Sequence, residues 1–324
     1  MPEPWLSVVL PTWNGQAYLA EALESVVREG VDDLDVVAVD DGSTDRTLEI
    51  LRSYASRLPL RILEPGRVGN WVANTNRGMA QARGTHVSIL HQDDSWRPGR
   101  LRRMREASAA SPGATLIVHA SVYVDSRGRR VGLYRPPLPR RMGGAPPSVV
   151  VPRLLVQNFL TVPSAIFPRQ AFLEAGGMDE SLWYTADWDL WIRLAGAGRT
   201  VYVDRPLASY RIHPLSQTSV RSFDSHEFRA QHEEVLERHL GAWSGASGRA
   251  ARFSIEVNTA LAALANRRLP DLPRLAAGAL GLGPAGLARY WTVSRIAERA
   301  AARLRCRLWS PPARYTSAGR RISS

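Results

Sequence analysis

The sequence predicts an α/β fold: a mixed, mainly parallel sheet flanked by helices, with a helical extension at the C-terminus. Two features carry this reading. Strand-like and helix-like segments alternate through the first hundred residues, the pattern of parallel strands joined by crossover helices. From about residue 221 the strand signal stops and helical spacing takes over. The expected division is a sheet domain over 1–220, a basic helical extension over 221–309 and a disordered tail over 310–324.

The strands are short aliphatic or β-branched runs: "WLSVVLP" (5–11), "DVVAVD" (35–40), "LRILE" (60–64) and "THVSILH" (85–91). Between them, "QAYLAEALESVVRE", "TDRTLEILRSYASRL" and "NWVANTNRGMAQAR" place apolar residues at helical spacing, as with Leu19, Leu23, Val26 and Val27. "ATLIVHASVYVDSRGRRVGLY" then reads as two strands about an Arg-Gly turn, which makes the sheet mixed. Residues 135–148 hold five prolines, two glycines and three arginines and predict a loop, with a flexible insertion near an active site as one reading. Regular structure resumes with "VVVPRLLVQNFL", "PSAIFP", a helix at "RQAFLEA", a turn at "GGMDES", a helix at "DWDLWIRLAGAG" and two strands near "TVYVD" and "LASYRIH". The extension begins with the helices "SHEFRAQHEEVLERHL" and "RAARFSIEVNTALAALANRR", and an Ala/Arg-rich stretch follows to about 309.

The chain has 324 residues, 44% of them hydrophobic and 22% charged, ordinary values for a globular protein with a sizeable core. No apolar run is long enough to span a bilayer. The first residues, "MPEPWLSVVLP", read as a strand and not as a signal peptide, so a cytoplasmic location is expected, with the inner face of the membrane as a peripheral site. A single cysteine, Cys306, excludes an intrachain disulfide and a cysteine metal cluster. The net charge of +12 would suit nucleic acid, but residues 221–324 supply +9 of it and residues 1–220 only +3. A charged tail alone does not make a nucleic-acid interface, and no nucleic-acid partner is expected.

Ligands of open α/β sheets bind at the carboxyl ends of the parallel strands. Three polar turns fall there: "PTWNG" (11–15), "DDGSTD" (40–45) and "HQDD" (91–94). Asn-Gly and Asp-Gly are also ordinary turn pairs, and Ser43 or Thr44 could cap the next helix. Asp93 and Asp94 are harder to explain by structure alone. Adjacent carboxylates repel, and burial raises that cost unless a cation or hydrogen-bond donors compensate; a hard divalent ion shared with a phosphate group does so.

"PTWNG", "VDDGSTD", "LHQDD" and "GGMDESL…ADWDLWIRLAGAG" occur in the order and at the spacing of the inverting family 2 glycosyltransferases of the GT-A fold, which residues 5–215 resemble. The resemblance implies transfer of a sugar from a nucleoside-diphosphate sugar to a hydroxyl of a glycan or lipid-linked acceptor, in polysaccharide, glycolipid or cell-envelope glycan synthesis. It assigns Pro11, Thr12, Asn14, Asp41 and Asn70 to the nucleotide-binding edge, with Asp41 at the nucleobase. Asp93 then faces the ribose and sugar diphosphate, and Asp94 ligates a divalent metal, Mg²⁺ or Mn²⁺. His213, in "SYRIHPLSQTS", is the further metal or phosphate group, with a plain turn histidine as the alternative. His91 in its strand is expected to pack or hydrogen-bond. Asp187 is the catalytic base, set against a purely helix-stabilising role at a helix N-terminus. Ala186 stands where the family carries Glu, and His91 and Gln92 break its acid-x-acid pattern. These departures leave open a non-catalytic relative that binds nucleotide or membrane through the same scaffold.

"GLGPAG" (281–286) matches a dinucleotide-binding pattern but follows no strand. "RPGRLRRMRE" (97–106) reads as a helix with a mostly solvated arginine face. Trp191 reads as core, while Trp183 or Trp188 could stack on an acceptor sugar. In "LARYWTVSRIAERAAARLRCRLW", Arg295, Arg299 and Arg303 fall on one side of a helix and Val293, Ala297, Ala300, Leu304 and Leu308 on another. That pattern fits a helix on an anionic membrane surface, or equally one packed on the catalytic domain.

Overall fold

The computed structural model describes residues 3–140, 143–213, 216, 225–241, 246–266 and 268–309. The 220/221 division and the 310–324 tail lie outside them. Strands β1 (Leu6–Thr12), β2 (Leu34–Asp40), β3 (Leu60–Leu63) and β4 (His86–Ile89) pair in parallel in the order β3-β2-β1-β4. Every residue of β1 and β2 is buried because helices cover both faces, which is why these strands are almost unbroken apolar runs. Helices α1 (Leu19–Val27) and α2 (Thr47–Tyr54) lie on one face and α3 (Trp71–Gln81) on the other. Gly78 lets α3 come close to the sheet: a Cβ there would meet Val9 Cγ1 at 2.5 Å.

The short β5 (Ser95–Trp96) and helix α4 (Arg100–Ala109) lead to β6 (Ala114–Val124) and its hairpin partner β7 (Arg130–Tyr134). Helix α5 (Pro147–Val156) forms despite an internal proline at Pro152. Strand β8 (Ala165–Pro168) joins β4 to β6 by antiparallel pairing on both sides. Helices α6 (Arg169–Glu174) and α7 (Ala186–Ala197) precede β9 (Arg199–Arg211), which runs parallel to β6. The two strands expected near 200 and 210 are one. The pairing of β6 with β9 shifts register near Ala120, opposite Pro206, so the break that sequence shows at Asp204 to Pro206 is absorbed as an irregularity.

Helices α8 (Ser225–Leu240), α9 (Ala246–Ala265), α10 (Leu272–Ser294) and α11 (Ile296–Trp309) complete the described chain. They share a core with the sheet: Val235, Leu236, Ala251, Ile255, Ala302 and Cys306 belong to the cluster that also holds Trp191, Phe167 and Leu154. Trp191 is fully buried at its centre, and truncating it to Ala should cost about 3–5 kcal/mol.

Residues 143–145 dock on the start of β9, with Ala145 and Thr200 exchanging backbone hydrogen bonds of 2.8 and 2.9 Å, at the end of that strand remote from His213. Of the arginines in 97–106, Arg97, Arg102 and Arg103 are exposed as expected of a mostly solvated face, whereas Arg100 is fully buried, with Nε on His119 at 3.1 Å, Nη2 on Ser88 Oγ at 2.9 Å and its guanidinium over Trp96. Burial pushes it down to about 9. The apolar stripe expected through 293–308 is not the buried one. Arg295 adopts a left-handed φ of 52° between α10 and α11, which resets the helical phase. Within α11 itself Ile296, Ala302 and Cys306 face inward, Ala297 and Leu304 face outward, and the helix lies against β7. "GLGPAG" sits inside α10, where Gly283 at φ 63° makes a kink.

Candidate active site

The ends of β1, β2 and β4 meet at one edge, and side chains there tie each turn to the backbone of the next. Asn14 takes a left-handed φ of 47°, its Oδ1 accepts Thr44 N–H at 2.9 Å and its own N–H donates to Ser43 Oγ at 2.9 Å. Gln92 holds the third turn to the first: Oε1 accepts Trp13 N–H at 2.8 Å and Nε2 donates to Trp13 O at 2.9 Å. The residue that interrupts the acidic pattern is therefore a brace. Pro11 and Thr12 are sealed beneath the edge, and Thr12 Oγ1 donates to Asp40 Oδ1 at 3.0 Å. Asn14 alone of these three faces solvent.

Asp41 is 5% exposed, and its carboxylate accepts Val68 N–H at 2.6 Å and Gly69 N–H at 3.0 Å and pairs with Arg67. Arg67 lies over the Trp13 ring at 4.1 Å. Asp41 thus orders the 64–70 loop at the nucleotide edge. Asn70 is the N-cap of α3, its Oδ1 accepting from Val72 and Ala73 N–H, while Nδ2 donates to Glu180 O at 2.9 Å. An Asn just before a helical run is a capping signal, and the cap occupies the amide expected at the nucleotide.

His91, Asp93 and Asp94 form an acidic corner directly after β4, with one ligand atom from each lying within 4.8 Å of the others. His91 is in the loop beyond the strand, not in it. Its Nε2 and Asp94 Oδ2 are both buried without a hydrogen-bond partner. Asp94 Oδ1 accepts Arg211 N–H at 2.9 Å, and Asp93 Oδ2 meets His213 Nε2 at 2.9 Å. Burial and the charge of Asp93 push Asp94 well above the usual carboxylate range. Burial acts the same way on Asp93, but the hydrogen bond from His213 and the two histidine charges outweigh it and lower its pKa. Two orphaned donor atoms and an undercompensated carboxylate pair are a donor set that suits a hard divalent cation.

Arg211 was not foreseen, although it lies two residues before His213 on the same face of the chain. Only 3% exposed, it donates to Asp93 O at 2.9 Å and Asp125 O at 3.0 Å and pairs with Glu21 at 2.5 Å. Its guanidinium lies over Tyr18, whose ring also meets His213 edge-on at 5.0 Å.

Asp187 is the second residue of α7 and half-buried. Burial pushes it up to about 6, although Asn158 Nδ2 donates to its Oδ2 at 3.0 Å and helix N–H groups oppose the shift. Asn158 belongs to a polar chain. Gln157 Nε2 donates to Asn158 O at 3.2 Å, Gln157 Oε1 accepts from Ser254 and Asn258 at 3.1 Å each, and Arg299 donates to Asn258 Oδ1 at 3.3 Å. Asp189, fully buried, faces elsewhere, held by Arg193 at 2.7 Å and His239 at 2.8 Å. Trp188 is 3% exposed, with its indole N–H on Leu154 O, and cannot stack on a ligand. Trp183 is accessible and packs on Tyr184 with centroids 3.9 Å apart. Trp71 joins the two carboxylate centres: its ring meets His91 edge-on at 5.1 Å and its N–H donates to Trp183 O at 2.8 Å, four residues before Asp187.

Residues 7–153 match the model of the family described as "Glycosyl transferase family 2". An uncharacterised glycosyltransferase of Rickettsia typhi is 24% identical over 228 residues, 70% of each chain. The uncharacterised glycosyltransferase EpsJ of Bacillus subtilis is 30% identical over 135 residues, 41% of this chain and 38% of that one. Among solved structures, S. aureus TarS 1–349 in complex with UDP-GlcNAc matches 94% of this chain and 89% of its own at TM-score 0.65 and 18% identity. The mannosyltransferase PcManGT of Pyrobaculum calidifontis, in complex with GDP-Man and Mn²⁺, matches 96% and 89% at TM-score 0.54 and 18% identity. At these identities the structures establish the fold, the GT-A arrangement of sheet and helices, and residues 7–153 of the chain are similar to glycosyltransferase family 2.

Proposed function

We propose that the protein is a metal-dependent, inverting glycosyltransferase that moves a sugar from a nucleoside-diphosphate sugar to a hydroxyl of a glycan or lipid-linked acceptor. The observation that carries the reading is the pairing of two unlike carboxylate centres, a paired acidic corner and a lone half-buried Asp187, across Trp71. Complexes of the structural neighbours with UDP-GlcNAc, and with GDP-Man and Mn²⁺, support the donor class.

In this reading Asp94 and Asp93, with His91 and His213 beside them, would hold Mg²⁺ or Mn²⁺. A divalent cation there would offset the charge that develops on the leaving diphosphate. Asn14 and the loop ordered by Asp41 line the nucleotide, over the base formed by Pro11, Thr12 and Asn70. Asp187 takes the proton of the acceptor hydroxyl as its oxygen bonds to the anomeric carbon, and the bond from that carbon to the diphosphate breaks on the opposite face. Configuration at that carbon inverts. Arg211 fixes the backbone of the acidic corner, and Asn158 holds Asp187.

No described helix is long and apolar enough to cross a membrane. We place the enzyme in the cytoplasm or at the inner membrane face, in polysaccharide, glycolipid or cell-envelope glycan synthesis, with no nucleic-acid partner. A thermal-shift screen of UDP-, GDP- and dTDP-sugars with Mn²⁺ tests the donor class, since a ligand that binds only the native state raises the unfolding temperature. One nucleotide class should stabilise the protein in a metal-dependent way, and no stabilisation by any of them would overturn the reading. The anomeric configuration of the product, read by NMR, tests inversion.

A further inference from the structure

Helix α10 has two apolar faces, and only one is used. Its inner side, with Leu275, Leu282 and Tyr290, shares a cluster with Phe253 of α9, and at Gly278 an added Cβ would stand 2.9 Å from the Phe253 ring. Its outer side leaves Leu272 63%, Leu280 83% and Trp291 60% exposed, and Leu269 just ahead of the helix is 96% exposed. Residues 272–297 contain no Asp or Glu, and the only charged residues among them are Arg274, Arg289 and Arg295. A helix docked on its own domain normally turns mainly charged and polar residues to solvent, and this one turns Leu272, Leu280 and Trp291 there beside Arg274, Arg289 and Thr292.

We infer that the outer face of α10 docks on an anionic lipid surface, with its leucines and Trp291 in the headgroup boundary and the flanking arginines on lipid phosphates. Charge selects this occupant. No acid lies within 272–297 and residues 221–324 carry a net charge of +9, which suits anionic headgroups even though Arg274 meets Glu256 and Arg295 meets Glu298 at 3.3 Å each, and tryptophan favours the membrane-water boundary. The kink at Gly283 and the packing on α9 keep the helix lying along the surface instead of crossing it. The membrane contact therefore falls on α10, and not on α11, whose Ile296, Ala302 and Cys306 are already buried. This inference is independent of the catalytic reading.

The test is flotation of the full chain with vesicles of phosphatidylcholine alone and of phosphatidylcholine with phosphatidylglycerol at three to one, at low and high salt. The chain should float with the anionic vesicles at low salt and much less with neutral vesicles or at high salt. The double variant Leu280→Asp/Trp291→Asp should bind at least about tenfold more weakly with an unchanged unfolding temperature. Leu272→Asp, at a separate exposed position, should weaken binding in the same direction, so misfolding of one variant leaves the test intact. Absence of binding to anionic vesicles at low salt, or folded variants that bind as well as the parent, would overturn the inference. So would self-association in sedimentation that the same substitutions abolish, because the face would then belong to a second copy.

Discussion

The two carboxylate centres of this protein are built in opposite ways. At the acidic corner, Asp93 and Asp94 are adjacent and faced by His91, His213 and Arg211, yet Asp94 Oδ2 and His91 Nε2 are left without partners. At the start of α7, Asp187 has no charged partner, accepts from Asn158 and from helix N–H groups, and is raised by burial to about 6. The first arrangement suits a cation that stays charged. The second suits a proton that arrives and leaves near neutral pH. The same residue type serves both because partners and burial, and not the side chain, set its charge.

The contrast breaks most sharply at Asp187. Asp187→Asn should lower transfer by about a thousandfold, within the usual range for a general base, while donor binding measured by calorimetry stays unchanged. Asp94→Asn should act on binding instead, lowering Mn²⁺-dependent donor affinity by at least about tenfold, since it removes one anionic oxygen from the ligand set. Equal affinity with and without metal in the parent would leave the corner without its role.

A smaller effect should appear at a distance. Asn258→Leu removes the hydrogen bond that helps fix Gln157 and through it Asn158. Asn158 lowers the pKa of Asp187, so loosening it should move the acid limb of kcat/KM to higher pH, with a loss of about three- to tenfold at pH 6. A purely structural defect would lower the rate without moving the limb. The smallest effect is on stability. Because the pKa of Asp187 is raised on folding, its contribution is favourable below the unfolded value and is lost as pH rises through about 6. At pH 8 the Asp187→Asn variant should therefore unfold no lower than the parent in a thermal scan.

The sequence discloses these regions unequally. The edge of the sheet is legible because strands such as "WLSVVLP" and "DVVAVD" end in polar turns, and the placement of Asp187 near the start of a helix follows from apolar spacing in "DWDLWIRL". What each turn residue does is not legible, because it depends on contacts between distant segments. Gln92 braces Trp13 from 79 residues away, and Arg211 reaches Asp93 O across 118. Asn70 carried a capping signal that the nucleotide assignment obscured. Helix α5 is masked by the β-branched run and the proline of "VVVPRLLV", where tertiary burial overrides local preference. The stripe expected at Ala297, Ala300 and Leu304 runs along the unbroken helix α11, yet packing on β7 buries Ile296, Ala302 and Cys306 instead, and the left-handed turn at Arg295 separates only Val293 and Arg295 from that helix.

The central claim is that Asp187 is the proton acceptor for cleavage of a nucleoside-diphosphate sugar. It is tested most directly by the rate of nucleoside diphosphate release, as a function of pH, from whichever donor stabilises the protein in the presence of Mn²⁺. The account predicts release that falls away below about pH 6 in the parent and is lost in Asp187→Asn. Release that continues in Asp187→Asn at the parental rate and with the same pH limb would contradict it.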